Sequence, residues 1–280
     1  MRWVPGEGPV SVRRLASGLV NESCRVARAG RLYSLRVATV DSLQLGLDRE
    51  WECKVVACAA AAGVAPTIQC CEPAQGVLVA DWAPGRAWTA AEIREPDNVH
   101  AMAQLLRRVH ALRIPQPGRA MSPAAWVAHY SAALAERPSA ELRAAADARL
   151  TQLAASPLPT AVLCHSDLHR LNVAKGERLL LLDWEYAHVS DPYWDLAGWV
   201  ANNDGSPHFA ADLLASYLQR PVVSAESTRL RLFVWLYDYV CLLWSELYSK
   251  QRPGTGSDGV TARADQLAVR LKSASGSSAP

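Results

Sequence analysis

The sequence lacks the long apolar runs of membrane proteins and the apolar N-terminal segment of secreted ones. Its most apolar stretch, residues 230–248, is interrupted by Asp238, Ser245 and Glu246, and such residues are costly in lipid. Residues 1–18 carry charges and glycines throughout, without a secretory apolar region. We therefore expect a cytoplasmic protein with no membrane span.

Blocks of basic residues are also missing. Lysine and arginine number 29 and aspartate and glutamate 27, which gives a net charge of +2. Proteins that track nucleic-acid phosphates usually carry clustered lysine and arginine, so nucleic-acid binding is not favoured. Half of the 280 residues are hydrophobic, which is enough to build the core of one large domain or two small ones.

Paired cysteine motifs are absent as well. The chain has 7 cysteines, an odd number, in apolar surroundings and without CxxC spacing. This pattern favours reduced, buried thiols over a disulfide framework or a zinc site. The cysteines are at positions 24, 53, 58, 70, 71, 164 and 241.

The N-terminal third reads as a small antiparallel sheet with one helix. Residues 10–40 alternate apolar and polar side chains around a probable turn at Ala29-Gly30. Residues 48–63 have helix composition and end at a glycine, and residues 76–88 read as one more strand running into a Pro-Gly turn. We place the end of this unit at residue 85.

From about residue 97 the pattern is mainly helical. Helices are predicted over 97–112, within 123–153, and over 208–219 and 229–249. Two short strands around a Lys175-Gly176 turn interrupt them. We therefore predict an N-terminal lobe (1–85), a C-terminal lobe (86–272) and a mobile tail of low complexity (273–280).

Polar residues cluster at the ends of those two short strands. The order is His165-x-Asp167-x-His169-x-x-Asn172, followed by Asp183 after four leucines. Asp167 and Asn172 are five positions apart, the interval between the base and the metal-binding asparagine of the protein-kinase catalytic loop. The spacing indicates phosphoryl transfer.

That chemistry needs few groups from the protein. A carboxylate orients the incoming hydroxyl and accepts its proton, and Asp167 suits this task. Divalent cations neutralise the polyphosphate, and Mg²⁺ prefers oxygen ligands while keeping several waters. Asn172 and Asp183 supply two such oxygens.

The segments "HSDLHRLNV" and "LLLLDWEYAHVSDPYWDLA" together resemble the paired signature of the aminoglycoside phosphotransferase and choline kinase family. The sequence Asp-Trp-Glu-Tyr-Ala is also similar to the metal motif of bacterial thiamine kinases. The resemblance implies an α+β fold in two lobes like a protein kinase, with ATP and Mg²⁺ bound between them. It implies Asp167 as the base, Asn172 and Asp183 as metal ligands, and His165 and Asp195 as supports of the catalytic loop.

The same resemblance assigns a phosphate-binding hairpin to "LASGLVNESCRV", residues 15–26. Family members use a glycine-rich loop there, and this chain offers Gly18 together with Ser17, Asn21 and Ser23. The strand "YSLRV" would carry the basic residue that meets the ATP phosphates, which is Arg36 in place of the more usual lysine.

The resemblance also implies an acid on the following helix as the partner of Arg36. Glu52 is favoured by spacing, with Glu50 as the alternative. "VADWAPG" looks like the hinge between the lobes, so the backbone of Ala80 to Trp82 is expected to contact adenine.

The acceptor is less constrained. Trp235, Asp238 and Tyr239 have helical spacing, and an aromatic and acidic face could hold a cationic amine through cation–π contact, although core packing is the simpler reading. His169 and Glu185 are further acceptor-site candidates. We expect a small-molecule alcohol such as choline, ethanolamine or thiamine, with an aminoglycoside or amino sugar as the alternative. The oligomeric state stays open.

A hydrolase is the alternative of another class. His165, Asp167, His169 and Asp183 could bind zinc or manganese and activate a water. Asn172 counts against this reading, because an amide is a poor zinc ligand and it stands where a kinase needs it. A pseudokinase is disfavoured because base and metal ligands are all present.

Overall fold

In the computed structural model an antiparallel sheet forms the N-terminal lobe, as the alternating residues predict. Its strand order is β1-β2-β3-β5-β4. Ala29 and Gly30 join β2 to β3 with φ angles of 50° and 76°, which fit the tight turn of a twisted hairpin. The strands are β1 (Val10–Arg14), β2 (Asn21–Arg28), β3 (Arg31–Ala38), β4 (Ile68–Glu72) and β5 (Val77–Asp81). The structure describes residues 2–15, 18–39, 45–134, 138–156, 160–203, 205–251 and 257–276.

Helix α1 (Arg49–Ala61) lies between β3 and β4. The carboxylate of Asp48 caps it by accepting a hydrogen bond from the Trp51 amide at 2.9 Å. The predicted helix is thereby confirmed. Strand β4 was not expected, because it is an edge strand of half-exposed residues without the alternation that marks a strand in sequence.

A disulfide joins Cys53 on α1 to Cys71 on β4, with 5.9 Å between the Cα atoms. The expectation of reduced thiols is therefore wrong for this pair. The two cysteines are 18 residues apart and meet only when α1 packs on the edge of the sheet, so no local spacing announces them. Of the free cysteines, Cys164 is buried, and those at 24, 58, 70 and 241 are partly exposed.

The C-terminal lobe is mainly helical, as predicted. The 28-residue helix α7 runs through it and packs against α3, α5 and α8. Within the described part of the chain, no helix is long and apolar enough to cross a membrane. The helices are α2 (Pro96–His110), α3 (Pro123–Ala133), α4 (Ala140–Ala154), α5 (Tyr193–Asn203), α6 (Pro207–Leu218), α7 (Ser224–Gln251) and α8 (Ser257–Gly276).

Helix α8 was not predicted. It continues to Gly276, so the first residues of the segment assigned to the mobile tail are helical. Residues 277–280 lie outside the described residues.

Short strands in this lobe carry the polar motif. β6 (Val162–Cys164) pairs with β9 (His188–Ser190), and β7 (Val173–Lys175) pairs with β8 (Leu179–Leu181). The predicted hairpin around Lys175-Gly176 is thereby confirmed. Each pair ends beside the motif residues, which places their side chains in loops held by a rigid scaffold.

The two lobes are tied together at several backbone points. The indole N–H of Trp51 on α1 donates to the Ala187 carbonyl at 2.7 Å. Arg86, just after the sheet, forms a backbone bridge with Lys175 in the β7–β8 hairpin. Gly85, with φ 113°, approaches that hairpin so closely that a Cβ would lie 2.1 Å from the Lys175 oxygen. This crossing coincides with the lobe boundary expected at residue 85, which stays a prediction.

Candidate active site

A cavity of about 610 Å³ opens between the β1–β2 connection, the loop after β6 and the helix α7. It collects residues that are far apart in sequence. The predicted site residues that line it are Gly18, Asn21, Ser23, Asp167, His169, Asn172, Asp183 and Glu185. Ser17, expected beside Gly18, lies outside the described residues.

The Asp167 carboxylate is one-third exposed and faces this cavity. The Asn172 side-chain nitrogen donates to the Asp167 backbone oxygen at 2.9 Å and to its Oδ2 at 3.1 Å. Burial raises the pKa of Asp167, against the opposing effects of His165 and of the Asn172 hydrogen bond. A carboxylate fixed in this way, with its pKa moved toward neutrality, is suited to general-base work.

Two oxygen donors stand beside it. Since the Asn172 nitrogen is used by Asp167, its amide oxygen is the atom left to bind a cation. Asp183 follows β8 with φ 61°, a conformation that costs about 1–3 kcal/mol in a non-glycine residue and is typical of functional sites. Burial raises the pKa of Asp183, so a cation would favour its charged form. The pair fits Mg²⁺, which takes oxygen ligands and few of them from the protein.

Arg36 connects the sheet to Asp183, the residue that follows β8 and Leu182. It lies on β3 opposite Ser23, and its guanidinium donates to Asp183 Oδ1 at 2.5 Å and forms an ion pair with Glu52 on α1. Glu52 is 2% exposed, whereas Glu50 is on the exposed side of the helix. The structure thus pairs Arg36 with Glu52.

Arg49 extends this buried network and was not anticipated as a site residue. It donates to Glu52 Oε2 at 2.9 Å, to Glu185 Oε2 at 2.7 Å and to Asn21 Oδ1 at 3.1 Å. Asn21 in turn donates to Glu185 at 2.8 Å. Burial and the nearby Asp183 raise the pKa of Glu185 to about 7, although both arginines oppose this.

Asp195 supports the catalytic loop from below. Its two oxygens accept the backbone N–H groups of His165 at 2.8 Å and Ser166 at 2.7 Å. Burial alone would raise the pKa of Asp195, but the hydrogen bond from His110 and the backbone donors lower it. Ser166 has φ 72°, so Asp195 holds a strained turn in place.

His165 is fully buried and links the loop after β6 to Leu182, the residue before Asp183. Its Nε2 donates to the Leu182 carbonyl at 2.8 Å, and its Nδ1 accepts the Asp167 amide at 3.3 Å. The amide of Leu182 donates to the Asn172 carbonyl at 2.8 Å. With both ring nitrogens engaged, His165 is not a metal ligand, and the hydrolase alternative does not fit.

His110 is a support that the sequence reasoning missed. Its Nε2 lies 3.0 Å from Asp195 and its Nδ1 lies 2.8 Å from the Tyr217 hydroxyl. The available signal was a histidine on the apolar face of α2, four positions after the buried Leu106. A polar residue on such a face needs a buried partner.

His169 lies at the edge of the site. Its Nε2 is 3.8 Å from Asp167 Oδ2, and burial together with Arg263 and Arg170 lowers its pKa to about 4. The ring is therefore neutral at pH 7, and it stands close enough to the base to contact an acceptor.

The backbone that was expected to contact adenine is hydrogen-bonded within the sheet at two points. Ala80 is paired inside the sheet with β3 and β4, and the Trp82 amide donates to the Leu32 carbonyl at 3.0 Å. Strand β5 ends at Asp81, short of the strand predicted over residues 76–88, and the Trp82 hydrogen bond continues its pairing with β3. Ala83 is the first residue beyond this pairing.

The acceptor residues expected on α7 lie on the face of the helix that is turned away from the cavity around Asp167. Trp235 and Asp238 line a different cavity, where Asp238 is ion-paired with Arg270, and Tyr239 is stacked on Trp235 in the core. The catalytic cavity instead receives the face offset by about half a turn. Its aromatic residues are Trp126, Tyr130, Tyr186, Trp194, Tyr237 and Trp244.

Comparison with known proteins agrees with this geometry. A family model described as the phosphotransferase enzyme family matches residues 11–233. No curated protein sequence matches the chain significantly.

Solved structures share the fold over nearly the whole chain. A choline/ethanolamine kinase family protein from Mesorhizobium loti is 27% identical, with a TM-score of 0.78 over 95% of this chain and 87% of that one. Choline kinase LicA from Streptococcus pneumoniae is 21% identical, with a TM-score of 0.78 over 94% and 93%, and LicA has also been solved with AMP.

A thermostable mutant of an aminoglycoside phosphotransferase is 18% identical, with a TM-score of 0.68 over 96% of each chain. The similarity thus extends to kinases of different small molecules, all built on the same two lobes. The family match covers the sheet as well as the segment from Asp167 to Asp183. This chain therefore belongs to the phosphotransferase enzyme family and is a small-molecule kinase.

Proposed function

We propose that the protein transfers the γ-phosphoryl group of ATP, with Mg²⁺, to a hydroxyl of a small amine-bearing metabolite. The observation that carries the proposal is the convergence of Asp167, Asn172 and Asp183 on one cavity, with Arg36 joining Asp183 to Glu52. Phosphoryl transfer depends on such positioning and on electrostatic stabilisation rather than on covalent chemistry.

Each residue then has a defined task. Asp167 orients the acceptor hydroxyl and takes its proton. Asn172 and Asp183 would hold Mg²⁺, which neutralises charge on the phosphate oxygens. Arg36 holds Asp183 in position and adds positive charge beside the phosphates.

The nucleotide would occupy the side of the cavity formed by the sheet. Gly18 and Ser23 line that side and would cover the phosphates, since Gly18 leaves room for close approach of the backbone. The adenine would lie against the segment that begins at Ala83, because the backbone groups before it are bonded within the sheet.

The acceptor side favours an amine. Tyr186, Tyr237 and Trp244 line the same cavity as the carboxylates of Asp167 and Glu185. Aromatic rings and carboxylates together attract ammonium groups through cation–π contact and charge. Choline, ethanolamine and thiamine are amine-bearing alcohols of this kind, and an amino sugar or aminoglycoside is the alternative acceptor.

An ADP-release assay across choline, ethanolamine, thiamine, homoserine, amino sugars and aminoglycosides tests the proposal. We expect Mg²⁺-dependent ADP release with at least one amine-bearing alcohol. Asp167→Ala should lower kcat by about 10²–10⁴, the usual worth of a general base, with little change in the KM for ATP. Undiminished phosphorylation by this variant would refute the assignment of the base.

Helix α7 provides a matched pair for the acceptor wall. Trp244 stacks on Tyr248 and faces the catalytic cavity, whereas Trp235 stacks on Tyr239 and faces away from it. Trp244→Leu should raise the acceptor KM about tenfold or more through loss of cation–π contact, and Trp235→Leu should leave it unchanged at temperatures where both variants are folded. Equal effects on acceptor KM would contradict the aromatic-wall assignment.

A further inference from the structure

A second cavity of about 480 Å³ adjoins the catalytic one, and His169, Leu171 and Arg263 line both. Arginines dominate its wall. Arg170 comes from the catalytic loop, whereas Arg263 and Arg270 come from α8. Among the described residues that line it there is no carboxylate. Because Arg270 is ion-paired with Asp238, the positive charge beside Asp167 comes from Arg170 and Arg263.

The arginine side chains keep donors to spare. Arg263 spends one hydrogen bond on Asn202 Oδ1 at 3.0 Å. Arg270 is paired with Asp238, which lines a different cavity, and it also donates to the Ala201 carbonyl. Within the described ranges, the Arg170 guanidinium has no acidic partner. A guanidinium presents five N–H donors in a fork that matches carboxylate and phosphate oxygens, so these side chains can receive an oxyanion.

Asn202 fixes this cluster relative to the reacting groups. Its side-chain nitrogen donates to the Leu168 carbonyl at 3.0 Å and to the Tyr237 hydroxyl at 3.1 Å, while its oxygen accepts from Arg263. Leu168 directly follows Asp167. A group held by Arg263 is thus held in a set position relative to the base.

Residues assigned to ATP contribute nothing to this wall. Gly18, Ser23 and Arg36 lie on the sheet side, and none of them lines the second cavity. The ATP phosphates therefore have their own binding residues, outside the second cavity. Arg263 and Arg270 also lie beyond residues 11–233, the part of the chain that the family model matches.

We propose that the second cavity is a subsite for an oxyanion, a carboxylate or a phosphate monoester, carried by the acceptor. This inference rests on the proposed function and narrows its substrate class. The acceptor is zwitterionic: its amine faces the aromatic wall and the carboxylates, its hydroxyl meets Asp167, and its anionic group enters the arginine cluster. Opposite charges on the two sides of the base select for such a molecule.

Matched acceptor pairs test the substrate class. Serine differs from ethanolamine, and homoserine from 3-aminopropanol, only by a carboxylate. We expect the wild type to phosphorylate a carboxylated member with a kcat/KM at least about tenfold above its partner. Arg170→Gln together with Arg263→Gln should abolish this preference by raising the KM for that acceptor, with the KM for ATP unchanged.

Arg231→Gln is the control for loss of a surface arginine. Arg231 is exposed on α7, bonded to Thr228, and lines neither the catalytic cavity nor the second one. This variant should keep the preference. A wild type that favours the decarboxylated partner, or a double variant that still prefers the carboxylate, would overturn the inference.

A binding measurement decides the anion site without turnover. With the nucleotide site saturated by Mg·ADP, inorganic phosphate should raise the Tm of the wild type and of Arg231→Gln but not that of the double variant. Phosphate acting equally on all three, or on none, would sink the anion site. If none of the acceptors in the screen supported ADP release, the proposed function would be contradicted. This binding result would still stand on its own.

Discussion

The carboxylates of the site form two groups with opposite surroundings. In the first group, the three carboxylates of Glu52, Asp183 and Glu185 form ion pairs with only two guanidiniums, those of Arg36 and Arg49. Negative charge is therefore in excess. The second group consists of Asp195 alone, whose oxygens are surrounded by hydrogen-bond donors. Burial and neighbouring charge raise the pKa of Asp183 and Glu185, whereas hydrogen bonds hold the pKa of Asp195 below its usual value.

The difference indicates that the first group is suited to binding a ligand, whereas Asp195 has a structural role. A network left with surplus charge and raised pKa values gains stability when a cation arrives, as a metal site must. A carboxylate whose donors are all supplied by the protein gains nothing from a ligand and serves to hold the loop. Substitutions that remove one charge from each group should therefore have opposite signatures in activity and stability.

The largest expected effect is on catalysis, from Asp183→Asn. Loss of a metal-binding carboxylate should lower kcat/KM by about 10³–10⁴ and weaken the dependence on Mg²⁺, because several kcal/mol of charge stabilisation disappear. The free energy of unfolding without metal should change by less than about 1 kcal/mol, since the substitution also removes surplus buried charge. Mg²⁺ titration of turnover and urea unfolding in EDTA measure the two quantities. Asp212→Asn, in an exposed pair with His208, is the control. Unchanged Mg²⁺·ATP affinity would count against the metal role.

Asp195→Asn should show the reverse order. Its amide can accept only one of the two loop N–H groups and places a donor against the other, which should cost about 2–4 kcal/mol of unfolding free energy. Urea unfolding measures this loss, and the KM for ATP should change little at temperatures where the variant is folded. If the variant were as stable as the wild type, Asp195 would not be the support of Ser166 and His165 that its bonds indicate.

The smallest effect is the pH dependence of stability without metal. Because the folded pKa of Glu185 is raised to about 7, the folded state binds a proton more tightly than the unfolded chain. Stability should therefore be greatest near pH 4–5 for this group and fall as pH rises to about 7, by up to about 3 kcal/mol. Unfolding in EDTA between pH 4.5 and 8 tests it. The neutral rings of His169 and His188, whose pKa values are lowered to about 4, act in the opposite direction, so the comparison is with Glu185→Gln: the variant should lose less stability than the wild type as pH rises, and two curves of equal slope would contradict the shift.

Sequence reasoning reached the motif residues because phosphoryl transfer fixes both their types and their spacing. Asp167, Asn172 and Asp183 are read within one short segment, and local strands bring them together. The antiparallel sheet, apart from its edge strand β4, and most helices also follow from alternation and helix composition, and they are confirmed.

What the sequence did not predict depends on rotation and on long-range packing. The helical spacing of Trp235 and Asp238 correctly put them on one face, but it could not say which face meets the catalytic loop, because α7 is apolar nearly all round. Cys53 and Cys71 meet only through the packing of α1, and Arg263 reaches the site from a helix that was not predicted.

The backbone of Leu182 connects the loop that carries Asp167 to the segment that carries Asp183. Asn172 binds its amide and His165 binds its carbonyl, and Asp183 is the next residue. The loop that carries Asp167 and the segment that carries Asp183 are thereby bonded to one another, whereas Arg36 and Glu52 lie on β3 and α1. Any opening of the cleft would therefore separate Arg36 from Asp183, while the spacing between the proposed base and the proposed metal ligands stays constant. The enzyme can admit and release nucleotide without rebuilding the part of the site that moves the proton.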